Sequence, residues 1–222
     1  MDFIFMLTHN DATVPNAQEV LAELKQVGLT HVGFKDIGAT PAQQRQLADL
    51  ARAQGMTVYL EVVSTSVESE LESVAAGRDA GVDWILGGTN PVQALGLLEG
   101  SQIKYAPFPG RIVGHPSVLE GSIAEIAADA ARLTAMPGVT GLDLLAYRHR
   151  EADPLEVTRA VVAAASGPVI AAGSVVSREQ IAGLAKAGAK AFTIGGAIFD
   201  QTIPGDTISA RVRTALDWAE AV

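Results

Sequence analysis

The sequence predicts an α/β protein in which eight parallel strands, each followed by a helix, close into a single (β/α)8 barrel. Short β-rich segments alternate with longer amphipathic segments along the whole chain, which is the pattern of repeated β/α units. Eight such strand segments can be counted, and 222 residues is a length typical of one barrel domain. A doubly wound open sheet, which usually has fewer strands, is the alternative.

The predicted strands start about 20–38 residues apart, which is the length of one β/α unit. Several of them are apolar almost throughout, as expected for strands that are buried on both faces. The eight segments are Phe3–Leu7, His31–Asp36, Thr57–Val63, Asp83–Gly87, Ile103–Ala106, Gly141–Tyr147, Pro168–Ala172 and Ala191–Gly195.

Local signals mark where the intervening helices begin and end. Thr40-Pro41 and Asp153-Pro154 each place a capping residue before a proline at the first helical position. Ser122 with Glu125, and Ser177 with Gln180, are predicted capping boxes. Glycines that favour a left-handed helix end precede five of the strands: Gly28, Gly55, Gly81, Gly138 and Gly188. A last helix over Asp206–Val222 leaves no room for a second domain, so residues 1–222 are expected to form one unit.

The composition is typical of a compact enzyme and argues against several other classes. Hydrophobic residues make up 48% and charged residues 18%, a balance that excludes a disordered chain. The net charge of −9 argues against a nucleic-acid surface, because phosphate neutralisation requires clustered Lys and Arg. The absence of Cys excludes disulfides and a thiolate nucleophile. No apolar run approaches the roughly 18 residues of a spanning helix, so we expect a cytoplasmic protein with no membrane partner. A homo-oligomer is compatible with the sequence.

Two glycine-rich strand ends near the carboxyl end of the chain predict an anion site. The segments Ile170–Val175 and Gly188–Ile198 each end a strand in small residues, where backbone N–H groups can approach a phosphate closely. The loops after the seventh and eighth strands are the usual phosphate cradle of a (β/α)8 barrel. Tight turns in a crowded rim are the alternative explanation for these glycines.

From Pro168 to Phe199 the chain resembles the closing half of the ribulose-phosphate-binding barrels, a superfamily that includes histidine-biosynthesis isomerases and N-acetylmannosamine-6-phosphate epimerase. With Phe5–Asp11, Gly33–Gly38 and Phe108–Ser117, it also looks like short bacterial barrels catalogued as 4-hydroxythreonine-4-phosphate dehydrogenase-like. The resemblance implies a phosphate site at Gly173, Ser174, Gly195 and Gly196. It leaves the reaction open. The isomerases carry an Asp on strands one and five, and here Ala106-Pro107 stands at the end of strand five.

Four side chains at the predicted barrel mouth are candidates for proton transfer. Lys35 ends strand two and, by alternation of side chains, points inward while its neighbour Asp36 points outward. Lys35 is predicted to pair with Glu61 as acid and base or to form an imine with a carbonyl substrate. A plain ion pair with Glu61 or Asp143 is the structural alternative. The predicted catalytic residues are Lys35, Glu61, Asp143 and His9. Lys104 competes with Lys35 but precedes the end of its strand.

The segment from Pro107 to Gly121 is predicted to be a long loop with few apolar anchors, and loops of this length tend to be functional. Its Arg111 and His115 are expected to contact a carboxylate or sugar hydroxyls, with the loop closing over the mouth as a lid. A stiff proline-rich connection that covers the edge of the barrel is the alternative. The predicted substrate-binding residues are Asp11, Arg111, His115, Tyr147 and Arg148.

Together these features predict an enzyme that acts on a small phosphorylated sugar or sugar acid by proton abstraction next to a carbonyl, as an isomerase, epimerase or carbon–carbon lyase. No cofactor and no dedicated metal site are predicted, although Mg²⁺ held by carboxylates is not excluded. An FMN- or nicotinamide-dependent oxidoreductase is one alternative, because FMN places its phosphate at the same barrel site. A barrel that binds a phosphorylated metabolite without converting it is the other.

Overall fold

Eight parallel strands form the wall of a barrel in the computed structural model, which describes residues 1–222. The strands are β1 Asp2–Met6, β2 His31–Lys35, β3 Thr57–Val62, β4 Trp84–Gly87, β5 Lys104–Ala106, β6 Leu142–Leu144, β7 Val169–Ala171 and β8 Ala191–Ile194. Their order in the sheet is β6-β7-β8-β1-β2-β3-β4-β5. Between β5 and β6 the ring closes through a parallel bridge from Tyr105 to Val139 and amide hydrogen bonds from Thr140 and Gly141 to the Tyr105 carbonyl. The predicted (β/α)8 barrel is confirmed.

Nine helices accompany the strands, and the predicted capping signals operate. The helices are α1 Ala17–Glu23, α2 Pro41–Ala53, α3 Val67–Ala80, α4 Pro91–Leu98, α5 Ile123–Thr134, α6 Pro154–Ala164, α7 Arg178–Ala187, α8 Gly196–Phe199 and α9 Ile208–Glu220. Thr40, Ser122 and Ser177 form capping boxes, and Asp153 accepts two amide hydrogen bonds at the start of α6. The five glycines expected at helix ends all have positive φ.

Two segments differ from their predicted structure. The sixth strand, expected to reach Tyr147, stops at Leu144, and the chain then turns through a short 3-10 helix, Ala146–Arg148. The segment expected to be an open loop after β5 contains a two-stranded hairpin, Arg111–Val113 paired with Val118–Glu120. Leu119 is fully buried, so the hairpin itself supplies an apolar anchor for this segment.

The barrel interior is divided along its axis. Alternate strand residues face inward and pack as a small apolar cluster of their own, distinct from the larger cores that lie beneath the helices: Ile4, Met6, Tyr59, Leu86, Ala106, Ile170 and Ala191. Toward the carboxyl ends of the strands, the inward positions are instead occupied by Lys35, Glu61 and Asp143, all buried. This charged layer lies at the end of the barrel where (β/α)8 enzymes carry their active sites.

No helix has the length and apolar character needed to cross a membrane.

Candidate active site

A cavity of about 500 Å³ opens at the carboxyl ends of the strands. Its floor includes Lys35 and Glu61, and its walls come from the segments that follow β1, β6, β7 and β8 together with the tip of the hairpin. Because parallel strands all deliver their carboxyl ends to one rim, residues that are far apart in sequence meet here.

Lys35 is the central cation of the floor. Its Nζ contacts Asp11 Oδ1 and lies 3.4 Å from Glu61 Oε2, and all three side chains are almost completely buried. Because side chains alternate along β2, Asp36 points to the other side of the barrel wall. There its carboxylate accepts a hydrogen bond from the Val63 amide at 3.0 Å and another from the Ser64 amide. Lys35 therefore faces the cavity, whereas Asp36 fixes the segment after β3.

Asp11 joins four parts of the mouth. Besides Lys35, it receives two hydrogen bonds from Arg148, at 2.9 and 3.1 Å, and one from the Ser117 amide in the hairpin at 3.2 Å. Burial alone would raise the pKa of Asp11, but the Arg148 hydrogen bonds and the charges of Lys35 and Arg148 outweigh it and hold this pKa well below its usual range. Asp11 is thus a carboxylate that ties the first loop to β2, the hairpin and the segment after β6.

Asp143 differs from the other carboxyl groups of the site because no group in the protein forms a hydrogen bond with its side chain. Its side chain is 0% exposed, and neither carboxyl oxygen has a hydrogen-bond partner. Burial, reinforced by the negative charge of Glu61, raises the pKa of Asp143 well above its usual range, although Lys35 and Arg148 act in the opposite direction. An undissociated carboxylic acid is the state that this environment favours.

One residue that lines the cavity, Ser174, has a positive φ, a conformation that side-chain-bearing residues seldom adopt. Asn10 and Asp11 also line the cavity with positive φ, but they form the two-residue turn between the paired segments Thr8–His9 and Ala12–Thr13, where this conformation is ordinary. Strained residues such as Ser174 concentrate at functional sites because the surrounding structure must hold them in place.

The predicted phosphate residues, Gly173, Ser174, Gly195 and Gly196, all line the same cavity. Two of these glycines also have a packing reason to be glycine. A Cβ on Gly173 would overlap the Arg148 side chain, and a Cβ on Gly195 would overlap Thr8. Gly196 has no such neighbour, since the nearest atom to its Cβ position is Asp200 Oδ2 at 3.6 Å. Gly196 therefore leaves free space at the start of α8.

The remaining predicted residues are divided between the mouth and the outer surface. Tyr147 and Arg148 line the cavity, and His115 Nδ1 lies 3.9 Å from Asp11. His9, expected to act in catalysis, does not line the cavity; it hydrogen-bonds Asp200 at 2.7 Å and packs against Phe199.

Arg111 lies outside the cavity, contrary to the sequence-based expectation. Its guanidinium binds Glu120 at 2.7 Å, and its side chain is 69% exposed. The hairpin register explains this placement, because Arg111 and Glu120 are directly paired residues at the open end of the two strands.

Other cavity residues escaped the sequence analysis. Thr193 lies two positions after Ala191 on β8, so strand alternation could have indicated that it faces inward. Thr8, Ser117 and Asp200 also line the cavity, but no local pattern distinguishes them from ordinary polar residues of a loop. No group of three or more His, Cys, Asp or Glu side chains is arranged to hold a metal ion.

Comparison with known proteins adds information on the fold. No family model matches the chain, and none of the curated proteins matches it. Among solved structures, orotidine 5'-phosphate decarboxylase from Pyrococcus horikoshii OT3 is similar with a TM-score of 0.70 and 14% identity, covering 99% of this chain and 100% of that chain.

Two further solved barrels align over nearly their full length. D-psicose 3-epimerase from Clostridium cellulolyticum H10 has a TM-score of 0.64 and 10% identity, covering 100% of this chain and 99% of that one. The YdjI aldolase from Escherichia coli K12 has a TM-score of 0.62 and 14% identity, covering 99% of this chain and 89% of that one. At these identities the likeness is one of fold, and it independently supports the (β/α)8 barrel.

Proposed function

We propose that this protein is an enzyme that acts next to the carbonyl group of a small phosphorylated sugar or sugar acid. Removal of the proton from the adjacent carbon would give isomerisation or epimerisation. In carbon–carbon cleavage the base would instead take the proton of the β-hydroxyl group, the bond between the α- and β-carbons would break, and the resulting enolate would be protonated at the α-carbon. The observation that carries the proposal is the position of Glu61 on the cavity floor, 3.4 Å from the Lys35 ammonium, in the same cavity as the glycine loops after β7 and β8. A carboxylate, a cation and two glycine loops thus face one ligand-sized space.

The phosphate group would be held by backbone N–H groups at Ser174, Gly195 and Gly196, where the start of α8 corresponds to the short extra helix that often binds phosphate in this fold. Arg148 leaves one donor for the phosphate, its Nε, which makes no hydrogen bond to the protein and lies against Gly173. Binding at this end would fix the reacting carbon over the floor and thereby lower the entropic part of the barrier.

In the chemical step, Glu61 would accept the proton from the carbon next to the carbonyl, and the electron pair would move onto the carbonyl oxygen. The Lys35 ammonium would stabilise the developing oxyanion, a contribution that is large in a site closed to water. Return of the proton to the other face or to the neighbouring carbon completes an epimerisation or isomerisation. Lys35 contacts two carboxylates, which favours this role over imine formation, because an imine requires the neutral amine.

The similar solved barrels support this class of reaction by analogy of fold alone. They include a decarboxylase of orotidine 5'-phosphate, a 3-epimerase of D-psicose and an aldolase, so the architecture accommodates reactions at a carbon of small sugars and phosphate esters.

Gly196→Ala tests the anion site, because the added methyl group would occupy the cradle without meeting the protein. Inorganic phosphate and sugar phosphates should raise the melting temperature of the native protein. Their affinity should fall at least about tenfold in the variant, as expected when a hydrogen bond to a charged group is lost. Gly96→Ala is the matched control, since nothing lies within 4 Å of its Cβ position and it sits in α4, away from the cavity.

Proton abstraction itself can be followed without knowing the product. A sugar phosphate that binds should exchange the hydrogen next to its carbonyl with solvent deuterium, as detected by NMR. Phosphate binding that survives Gly196→Ala unchanged, or the absence of exchange with every sugar phosphate that binds, would contradict the proposal.

A further inference from the structure

The charges on the cavity floor are balanced before any ligand binds. The two cations, Lys35 and Arg148, both contact Asp11, and Lys35 also faces Glu61 at 3.4 Å. Asp143 is fully buried and does not line the cavity, and its two carboxyl oxygens have no hydrogen-bond partner. A second negative group on a ligand would therefore find no free positive charge at the floor and would lie next to Glu61.

Both terminal nitrogens of Arg148 already form hydrogen bonds within the protein. Its two terminal nitrogens form a fork on the two oxygens of Asp11, at 2.9 and 3.1 Å, and one of them also donates to the Ser117 carbonyl at 3.2 Å. A fork of this kind is the arrangement that would otherwise recognise a carboxylate of a ligand. Because Asp11 already occupies it, the guanidinium offers its Nε toward Gly173 and the phosphate end instead.

The groups left at the floor are suited to hydroxyls. Glu61 is a hydrogen-bond acceptor, and the hydroxyl groups of Thr8 and Thr193, which also line the cavity, can both donate and accept. A sugar hydroxyl can donate to a carboxylate, whereas a ligand carboxylate offers only acceptor oxygens and would leave Glu61 facing a like charge.

We propose that the substrate carries a single anionic group, its phosphate, and that its reacting end is an uncharged aldose or ketose rather than a sugar acid. Asp11 sets this preference by occupying the two cations that a carboxylate would need. This inference rests on the proposed function and selects between the two substrate classes that the proposed function allows.

The test compares ligands that differ in one oxidation step. Calorimetry on the native protein would measure glucose 6-phosphate against 6-phosphogluconate, and ribose 5-phosphate against 5-phosphoribonate, with inorganic phosphate as the reference ligand. We expect the sugar of at least one pair to bind at least about tenfold more tightly than its acid, since like charges brought together are strongly unfavourable. Equal or tighter binding of the acid in both pairs overturns this inference while leaving phosphate recognition intact. Failure of inorganic phosphate and of all four esters to bind overturns the proposed function and this inference together.

Asp11→Asn sharpens the assignment to one residue. Asn tolerates the left-handed conformation that residue 11 adopts, and it would release Arg148 and Lys35 from one carboxylate. The preference for the sugar over the acid should shrink by about tenfold or reverse in this variant, with thermal unfolding used to confirm that it folds. An unchanged preference in a folded Asp11→Asn protein overturns the role of Asp11, and the comparison on the native protein does not depend on the variant.

Discussion

Tyr59 and Glu61 lie two residues apart on β3 and face the same barrel interior, yet their surroundings differ in kind. Tyr59 is at the amino-terminal side, where its ring stacks on Trp84 with centroids 5.9 Å apart and its hydroxyl hydrogen-bonds His31 at 3.1 Å. Glu61, at the carboxyl-terminal side, faces the Lys35 ammonium and the cavity. Two residues along β3 therefore separate a packed amino-terminal end of the barrel from the charged layer that forms the cavity floor.

The two ends also differ in how well their polar groups are satisfied. At the amino-terminal end of the barrel, the Tyr59 hydroxyl has a partner, and Lys104 lies over the Trp84 ring, 5.2 Å from its centroid. At the carboxyl-terminal end, neither carboxyl oxygen of Asp143 has a hydrogen-bond partner, and Ser174 has a positive φ. The amino-terminal end is thus built for stability, whereas the carboxyl-terminal end retains an unsatisfied buried group and a strained residue, as expected at a functional site.

The largest effect is expected at Glu61. Glu61→Gln removes the base but keeps the shape of the side chain, so deuterium exchange into a bound sugar phosphate should slow by about 10²- to 10⁴-fold, the usual contribution of a general base. Binding of inorganic phosphate should persist, because the glycine loops are unchanged. NMR exchange rates and thermal shifts measure the two quantities separately.

Tyr59→Phe is the matched control on the same strand. It removes the hydroxyl that contacts His31 and should lower stability by about 0.5–1.5 kcal/mol without changing the exchange rate of the folded protein. Full exchange activity in Glu61→Gln, or its loss in folded Tyr59→Phe, would contradict the division between the two ends of the barrel.

Removing the stacked ring at the amino-terminal end of the barrel should lower stability without changing ligand binding. Trp84→Ala is expected to lower the free energy of unfolding by about 2–3 kcal/mol, less than the value for a fully buried Trp because Trp84 is only half-buried. Urea unfolding gives the stability loss, and phosphate affinity of the folded fraction should stay unchanged. Lys104→Ala, which removes only the cation above the ring, should lose about 0.5–1 kcal/mol. A Trp84→Ala protein as stable as this control would show that the stacked rings do not support the amino-terminal end of the barrel.

The fold was predictable because its signals are local and repeated. Every barrel strand was found near its predicted position, since strand spacing, capping boxes such as Ser122 with Glu125, and glycines at helix ends all depend on short stretches of sequence. The strand that ended early, β6, was misjudged because the apolar run continues through Leu145 and Ala146, and hydrophobicity does not show where a chain leaves the sheet.

The candidate site was only partly predictable because it depends on contacts between distant residues. Strand alternation correctly placed Lys35 inside, but no local pattern reveals that Asp11 binds Arg148, 137 positions away. Gly173 illustrates a further difficulty, since its need to accommodate Arg148 leaves the same sequence signature as a phosphate loop would.

The two mouth carboxyls with shifted pKa values should respond to pH in opposite directions. Asp143 has a pKa raised above the ordinary 3.8, so above about pH 4 the folded protein holds a proton that the unfolded chain releases. The contribution of Asp143 to the free energy of unfolding therefore falls as pH rises above about 4. Asp11 has a lowered pKa, so its stabilising contribution is present above about pH 4 and is lost as pH falls through its folded pKa.

Urea unfolding from pH 3 to pH 7 can separate these two contributions. Relative to the native protein, Asp143→Asn should gain stability as pH rises, with a slope of at most about 1.4 kcal/mol per pH unit. Asp11→Asn should lose stability relative to the native protein over the same rise. Parallel curves for the native protein and Asp143→Asn would show that Asp143 titrates normally and that its burial is relieved in solution.

The smallest effect is expected at Arg111, and it tests where the mouth ends. Its exposed ion pair with Glu120 should contribute less than about 0.5 kcal/mol to stability, and Arg111→Ala should leave the affinity for sugar phosphates unchanged, because the guanidinium points away from the cavity. Calorimetric titration of the variant with the ligand bound most tightly by the native protein measures this. A clear loss of affinity would mean that the hairpin rearranges on binding and carries Arg111 over the mouth, so that the charged layer extends beyond the barrel wall into a closing lid.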